Sequence, residues 1–261
     1  MKKLSLLILV SIIMLFAAGC TSSDEDTAVP KNVDITVSAA ASLTDALHDI
    51  TTSFEKEYPN IKVTYNFGSS GTLQQQILQG APADLFFSAA EDKFDELVSE
   101  DLIDEKNGIN LVGNQLVLIT PKEGKNDIQS FQDLDKVQKI SIGTPETVPA
   151  GKYAQEMLEN IDEWDEVKDK MVFAKDVRQV LTYVETGNVD AGIVYNTDAF
   201  ISSKVNVIAT AEEGTHTPIV YPLGILNESD HQKEAKVFYD YMQSEEALAI
   251  LEEYGFSNLV K

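Results

Sequence analysis

The chain predicts an α/β fold of two lobes with a ligand cleft between them, and three observations carry that expectation. From Val33 onward, extended stretches alternate with stretches of helical periodicity, the pattern of mixed or parallel sheets flanked by helices. Four segments, Ala40-Ala41-Ser42-Leu43-Thr44, Phe67-Gly68-Ser69-Ser70-Gly71-Thr72, Val148-Pro149-Ala150-Gly151 and Lys175-Asp176-Val177-Arg178, each read as a turn that opens a helix. An apolar run near 111–116 offers a crossing into a second α/β unit, and another near 220–225 offers the return. The expected division is 33–113 plus 224–261 as lobe 1, which is discontinuous, and 114–223 as lobe 2.

The elements follow in order. Residues 34–39 are extended, and Leu43, Ala46, Leu47, Ile50 and Phe54 then recur on one helical face. The pair repeats as an extended 62–67 and a helical 72–79, and again as a short apolar strand at 84–88 and a charged helix at about 91–100. Residues 111–120 form an apolar stretch interrupted by Asn114 and Gln115 and ended by Pro121. Beyond it the pattern predicts strand 139–143, helix 150–160, helix 163–170, strand 171–174, helix 176–186, and strands 191–195 and 205–209. The apolar run 220–226 and two helices, 230–243 and 245–254, close the chain. In sheets of this kind ligands gather at the carboxyl ends of strands, where the next helix begins, and all four junctions occupy such places.

The first nineteen residues combine a positive start, Met1-Lys2-Lys3, with an apolar run from Leu4 to Ala18, which reads as a secretory signal peptide. That run is short for a membrane span. The single cysteine, Cys20, falls at the expected cleavage point in Phe16-Ala17-Ala18-Gly19-Cys20-Thr21-Ser22-Ser23. This resembles the lipobox of bacterial lipoproteins, although Ala17 stands where that motif most often has Leu. A secreted chain with one unpaired thiol favours the lipidated reading over an incidental cysteine. Residues 20–32 then form the lipidated Cys20 and a polar tether without apolar periodicity. The expected location is the extracytoplasmic face of the cell membrane.

The formal charge is −23, and loss of residues 1–19 removes Lys2 and Lys3 but no acid, leaving −25. Nucleic acid is thereby excluded as a partner, because binding to it rests on neutralising phosphates with Lys and Arg. Helix N-termini attract anions. An anion held by this acidic chain must be bound by neutral dipoles against a repulsive field, which points to a small oxyanion in a closed, dry site.

At these residues the chain resembles the ModA family, the substrate-binding proteins of molybdate ABC transporters. The matching stretches are residues 39–47, 67–73, Gly80-Ala81-Pro82-Ala83-Asp84-Leu85-Phe86-Phe87-Ser88-Ala89, 113–117, Pro145-Glu146-Thr147-Val148-Pro149-Ala150-Gly151-Lys152-Tyr153-Ala154, Asp176-Val177-Arg178, Gly192-Ile193-Val194-Tyr195 and Tyr254-Gly255-Phe256. Their joint order, from about 34 to 256, is what is specific.

The resemblance implies a two-lobed periplasmic-binding-protein fold of type II that closes on molybdate or tungstate. It implies serine ligands at Ser42 and Ser70, backbone N–H donors at Ala150 and Val177, and a hydroxyl donor at Tyr195. Molybdenum would enter only as molybdate through these residues, without direct cation ligands. No cofactor and no catalysis are expected, and the implied partners are ABC permease membrane subunits for a monomeric carrier. Gly68 and Gly71 stand where relatives often carry Ser or Ala. That loosens the second loop and leaves open whether Ser69 or Ser70 faces the ligand.

Each position also has a purely structural reading. Ser42 with Asp45, and Thr72 with Gln75, are spaced as capping boxes, the second of which would free Ser70 for a ligand. Val177 shares a helical face with Val180, Leu181 and Val184, so only its N–H would serve. Pro149-Ala150 reads as a helix start, and Tyr195 as a wall residue at a strand end. Arg178 is expected to pair with an acid. Enzymatic readings are weak: Gly68-Ser69-Ser70-Gly71 is one residue short of a nucleophile elbow, and His48, His216 and His231 lie far apart, with no zinc or Ser-His-Asp spacing. A carrier of another oxyanion such as sulfate, an enzyme acting on a small anion, and a surface sensor are the other readings.

Overall fold

The computed structural model describes residues 32–123 and 127–260. The expected signal peptide (1–19), Cys20 and the expected tether up to residue 31 lie outside the described residues.

The first sheet starts with β1 (Val33–Ala40), which runs parallel to β2 (Ile61–Gly68) and β3 (Leu85–Phe87). β4 (Ile103–Gly113) belongs to the same sheet, and the chain then leaves for a second sheet through β5 (Leu116–Pro121). That sheet adds β6 (Ile140–Gly143), β7 (Met171–Ala174), β8 (Ala191–Tyr195) and β9 (Val205–Thr210). The chain returns through β10 (Val220–Leu226) and ends with the short β11 (Ser257–Asn258). The strand orders are β11-β4-β10-β3-β1-β2 and β7-β6-β8-β5-β9.

Both sheets are mixed, because β10 runs antiparallel to β3 and β4, and β5 antiparallel to β8 and β9. Three features differ from the sequence pattern. The apolar run 111–120 is not one element: Asn114 and Gln115 divide it between two sheets, and the earlier part of β4 was hidden by the exposed Glu105 and Lys106. The expected lobe boundary between 223 and 224 falls inside β10, which lies in the first sheet over its whole length, so the return crossing precedes Val220. The 163–170 helix is a single turn, Trp164–Val167, followed by a 3-10 turn.

Helices cover the faces. α1 (Thr44–Glu57), entered through a 3-10 turn at Ala41–Leu43, buries Ala46, Leu47, Ile50 and Phe54. The Phe54 ring meets Phe238 of a C-terminal helix, Gln232–Tyr241, edge to face at 5.0 Å. Aromatic pairs of this geometry contribute about 0.5–1.5 kcal/mol beyond their burial. In the second sheet Leu116, Val117, Leu118 and Ile119 are all fully buried, as expected of a strand covered on both faces.

Three further helices begin where strands or loops end at the first and second sheets: α2 (Ser70–Leu78), α4 (Pro149–Asn160) and α6 (Val177–Glu185), with α3 (Glu91–Ser99) and α5 (Trp164–Val167) between them. Gly151 lets α4 start against β6, since a Cβ there would lie 1.9 Å from the Gly143 carbonyl oxygen. α7 (Asn196–Phe200) follows β8 directly.

Candidate functional site

The N-terminal ends of these helices meet around a narrow cavity of about 10 Å³ between the two sheets. Ser42, Ser70, Ala150, Val177 and Tyr195, the five positions singled out from sequence, all line it, together with Ser69 and Asp176. Wider grooves lie elsewhere, such as one beside Pro121, Lys122, Glu185 and Lys204, but that groove collects the C-terminal end of α6, where carbonyls and not N–H groups are exposed.

Two halves of the chain supply the donors. Ser42 lies in the 3-10 turn, buried, with its Oγ 2.9 Å from the Tyr221 hydroxyl. Tyr221 also accepts a hydrogen bond from Asn114 Nδ2 at 3.1 Å. Ser70 opens α2, is fully buried, and accepts the Ala89 N–H at 2.8 Å on its Oγ. Ser69 behaves differently: its hydroxyl donates to Thr72 Oγ1 at 2.8 Å. That bond uses the hydrogen of Ser69 and leaves that of Ser70. Thr72 is not a helix cap, because α2 already starts at Ser70, and Ser42 forms no capping bond either.

From the second half, Ala150 follows Pro149 in the first turn of α4, and Val177 is the first residue of α6. N–H groups in a helix's first turn have no intrahelical acceptor. Asp176 caps α6 by accepting the Gln179 N–H at 2.8 Å on Oδ1. Sequence reasoning missed that this carboxylate stands in the cavity wall, although the N-cap spacing of Asp176 and Gln179 was there to be seen.

Tyr195 is buried, and its hydroxyl has no hydrogen-bond partner among the described residues. Burial pushes its phenol, and that of Tyr221, well above the ordinary value, so both remain protonated donors. An unpartnered buried hydroxyl is costly unless a ligand accepts from it.

Arg178 does not supply a free cation. Its Nη2 bonds Asp45 of α1, and its Nε lies 2.9 Å from Asp198 Oδ1, an ion pair without hydrogen-bond alignment. Asp198 is fully buried, and that burial pushes its carboxyl up to about 7 while Arg178 pulls it down. The two halves also meet through Lys152 and Asp92 at 2.9 Å, and through the Gly71 N–H, which donates to the Thr147 carbonyl at 3.0 Å. Gly71 thus tightens the second loop where the sequence suggested loosening: a Cβ there would stand 2.6 Å from the Thr147 oxygen.

A two-sheet α/β chain that closes helix N-termini and hydroxyl donors over a small buried cavity is a solute-binding protein in form. The family described as bacterial extracellular solute-binding protein matches residues 35–257, and the chain belongs to it. YvgL of Bacillus subtilis (strain 168), described as an ABC transporter substrate-binding lipoprotein, is 54% identical over 98% of both chains. The molybdate-binding protein ModA of Haemophilus influenzae is 40% identical over 85% of this chain and 89% of its own. A solved substrate-binding domain ascribed to a molybdenum ABC transporter of Clostridium difficile superposes with a TM-score of 0.68 at 42% identity. It covers 87% of this chain and 99% of that one.

Proposed function

We propose that this chain is the binding protein of an ABC importer and captures molybdate, or tungstate, in the cavity between its two halves. The observation that carries the reading is the donor inventory. Ser42, Ser70 and Tyr195 offer hydroxyl hydrogens, and Ala150 and Val177 offer helix-start N–H groups, around one small cavity. Likeness to molybdate-binding relatives supports the same ligand.

The lobes in this reading are 33–113 with the C-terminal segment, and 114 to the return crossing. Closing them strips water from the anion and replaces it with fixed dipoles, which are stronger in a dry site than in solvent. Neutral donors suit a carrier of net negative charge, because the anion is released without breaking an ion pair. The protein delivers its ligand to permease subunits, is held at the membrane by acylated Cys20, acts as a monomer and performs no chemistry.

The test is equilibrium dialysis of residues 21–261 against molybdate at physiological salt, followed by elemental analysis. One molybdenum per chain, displaced by tungstate, is expected. Retention of sulfate in place of molybdate would overturn the choice of ligand.

A further inference from the structure

An O–H group has one hydrogen to give, and around Ser42 the hydrogen bonds are ordered by a group that can only donate in one direction. The Asn114 amide is oriented by its own chain: Oδ1 accepts the Gln115 N–H at 2.8 Å, which turns Nδ2 away. Nδ2 then donates to Thr197 Oγ1 at 2.9 Å and to the Tyr221 hydroxyl at 3.1 Å. An amide nitrogen has no lone pair to accept with, so Tyr221 is the acceptor in that bond. Distance alone lets either hydroxyl donate in the 2.9 Å bond between Tyr221 and Ser42 Oγ; with Asn114 already on the Tyr221 oxygen, donation from Tyr221 to Ser42 is the arrangement that uses the Tyr221 hydrogen. In that arrangement Ser42 accepts from Tyr221, and its own hydrogen is left for the cavity that Ser42 lines.

We infer that Asn114 and Tyr221, through their ordered contacts with Ser42, are positioning residues that fix the Ser42 hydroxyl as a donor and so select fully deprotonated oxyanions. This rests on the ligand reading given above. Ser70 reaches the same polarity by a shorter route, since the Ala89 N–H can only donate to it. Ser70 is tied to backbone, whereas the orientation of Ser42 depends on two side chains that do not line the cavity and that lie at the crossings between the sheets. An oxyanion that retains a proton needs an acceptor; hydroxyls polarised in this way present none, and the carboxylate on the wall, Asp176, has its Oδ1 taken by the Gln179 N–H.

The test is a double-mutant cycle on molybdate affinity by isothermal titration calorimetry, with Ser42→Ala, Tyr221→Phe and the pair, each also titrated in competition with hydrogenphosphate. Tyr221→Phe is expected to weaken molybdate about tenfold, as for loss of one oriented hydrogen bond. In the Ser42→Ala background the same change should cost less than about twofold, because its effect passes through the missing hydroxyl. Hydrogenphosphate should compete better against the Tyr221→Phe protein than against wild type, since Ser42 can then turn a lone pair inward.

Additive losses, or equal weakening of molybdate and hydrogenphosphate, would mean that Tyr221 serves only the fold and would overturn the inference. Asn114→Leu provides a second route if Tyr221→Phe does not fold, with the same non-additivity expected and the same additive result contradicting it. A wild-type chain that binds no molybdate would instead overturn the ligand reading itself, and this inference with it.

Discussion

Arg178 on α6 is shared between Asp45 of α1, which lies in the other half of the molecule, and the fully buried Asp198 of α7. The chain's single guanidinium is thus neutralised before any ligand arrives, and it acts as a strut between the halves. Arg178→Met should destabilise the fold more than it weakens the site. Removing one partner of a buried pair costs roughly 3–5 kcal/mol, and the partial exposure of Arg178 places this case at or below that range. Urea unfolding and molybdate titration on the same variant separate the two effects.

The buried carboxyl of Asp198 makes stability depend on pH. Its folded value, about 7, stands above the ordinary unfolded value of about 3.9. A raised carboxyl binds its proton more tightly when folded, so its stabilising contribution is complete below about pH 3.9 and is lost as pH rises to about 7. Asp198→Asn cannot ionise and should escape that loss. Relative to wild type, its melting temperature should climb between about pH 4 and 7 and level off above; a difference that stays flat across this window would contradict the assignment.

Ser42→Ala, Ser70→Ala and Tyr195→Phe should each weaken molybdate by about 1–3 kcal/mol, the range for a hydrogen bond to a charged group. Ser69→Ala should cost far less, because the Ser69 hydrogen is already given to Thr72. Calorimetric titration of the four variants checks this ranking, and an inversion of Ser69 and Ser70 would refute the orientation described for the second loop.

Gly71→Ala tests closure itself. The new methyl would meet the Thr147 carbonyl oxygen at 2.6 Å, in backbone and not in a side chain that can turn away. Affinity should fall by at least tenfold, about 1.4 kcal/mol, while the unliganded protein keeps its melting temperature. Small-angle scattering should record a larger radius of gyration with saturating ligand than wild type shows.

Much of this was legible in the chain because periodicity is a local signal. The alternation of extended and helical stretches and the four helix starts lie within windows of a few residues, and Ser42, Ser70, Ala150, Val177 and Tyr195 could be named from them and the resemblance they carry. What escaped depends on contacts between distant segments. The bonds that join Ser42, Asn114 and Tyr221 span up to 179 residues, and no spacing rule connects them. The partners of Arg178 could not be picked from so many acids, since pairing needs position as well as charge. Thr72 was misread as a cap because its spacing to Gln75 fits a capping box, but the buried Ser70 and the Gly71–Thr147 bond set the start of α2 earlier.

The account rests on a site of neutral donors shaped for a large, fully deprotonated tetrahedral oxyanion, and thermal shift of residues 21–261 across an oxyanion panel tests it most directly. At about 100 times its dissociation constant, a ligand adds about 2.7 kcal/mol, which for a chain of this length raises the melting temperature by roughly 5–10 °C. Such a rise is expected with molybdate and tungstate, and little with equal sulfate or phosphate, at low and at high inert salt alike, because no free cation is there to be screened. A larger rise with sulfate or phosphate, or one that collapses as salt is added, would contradict it.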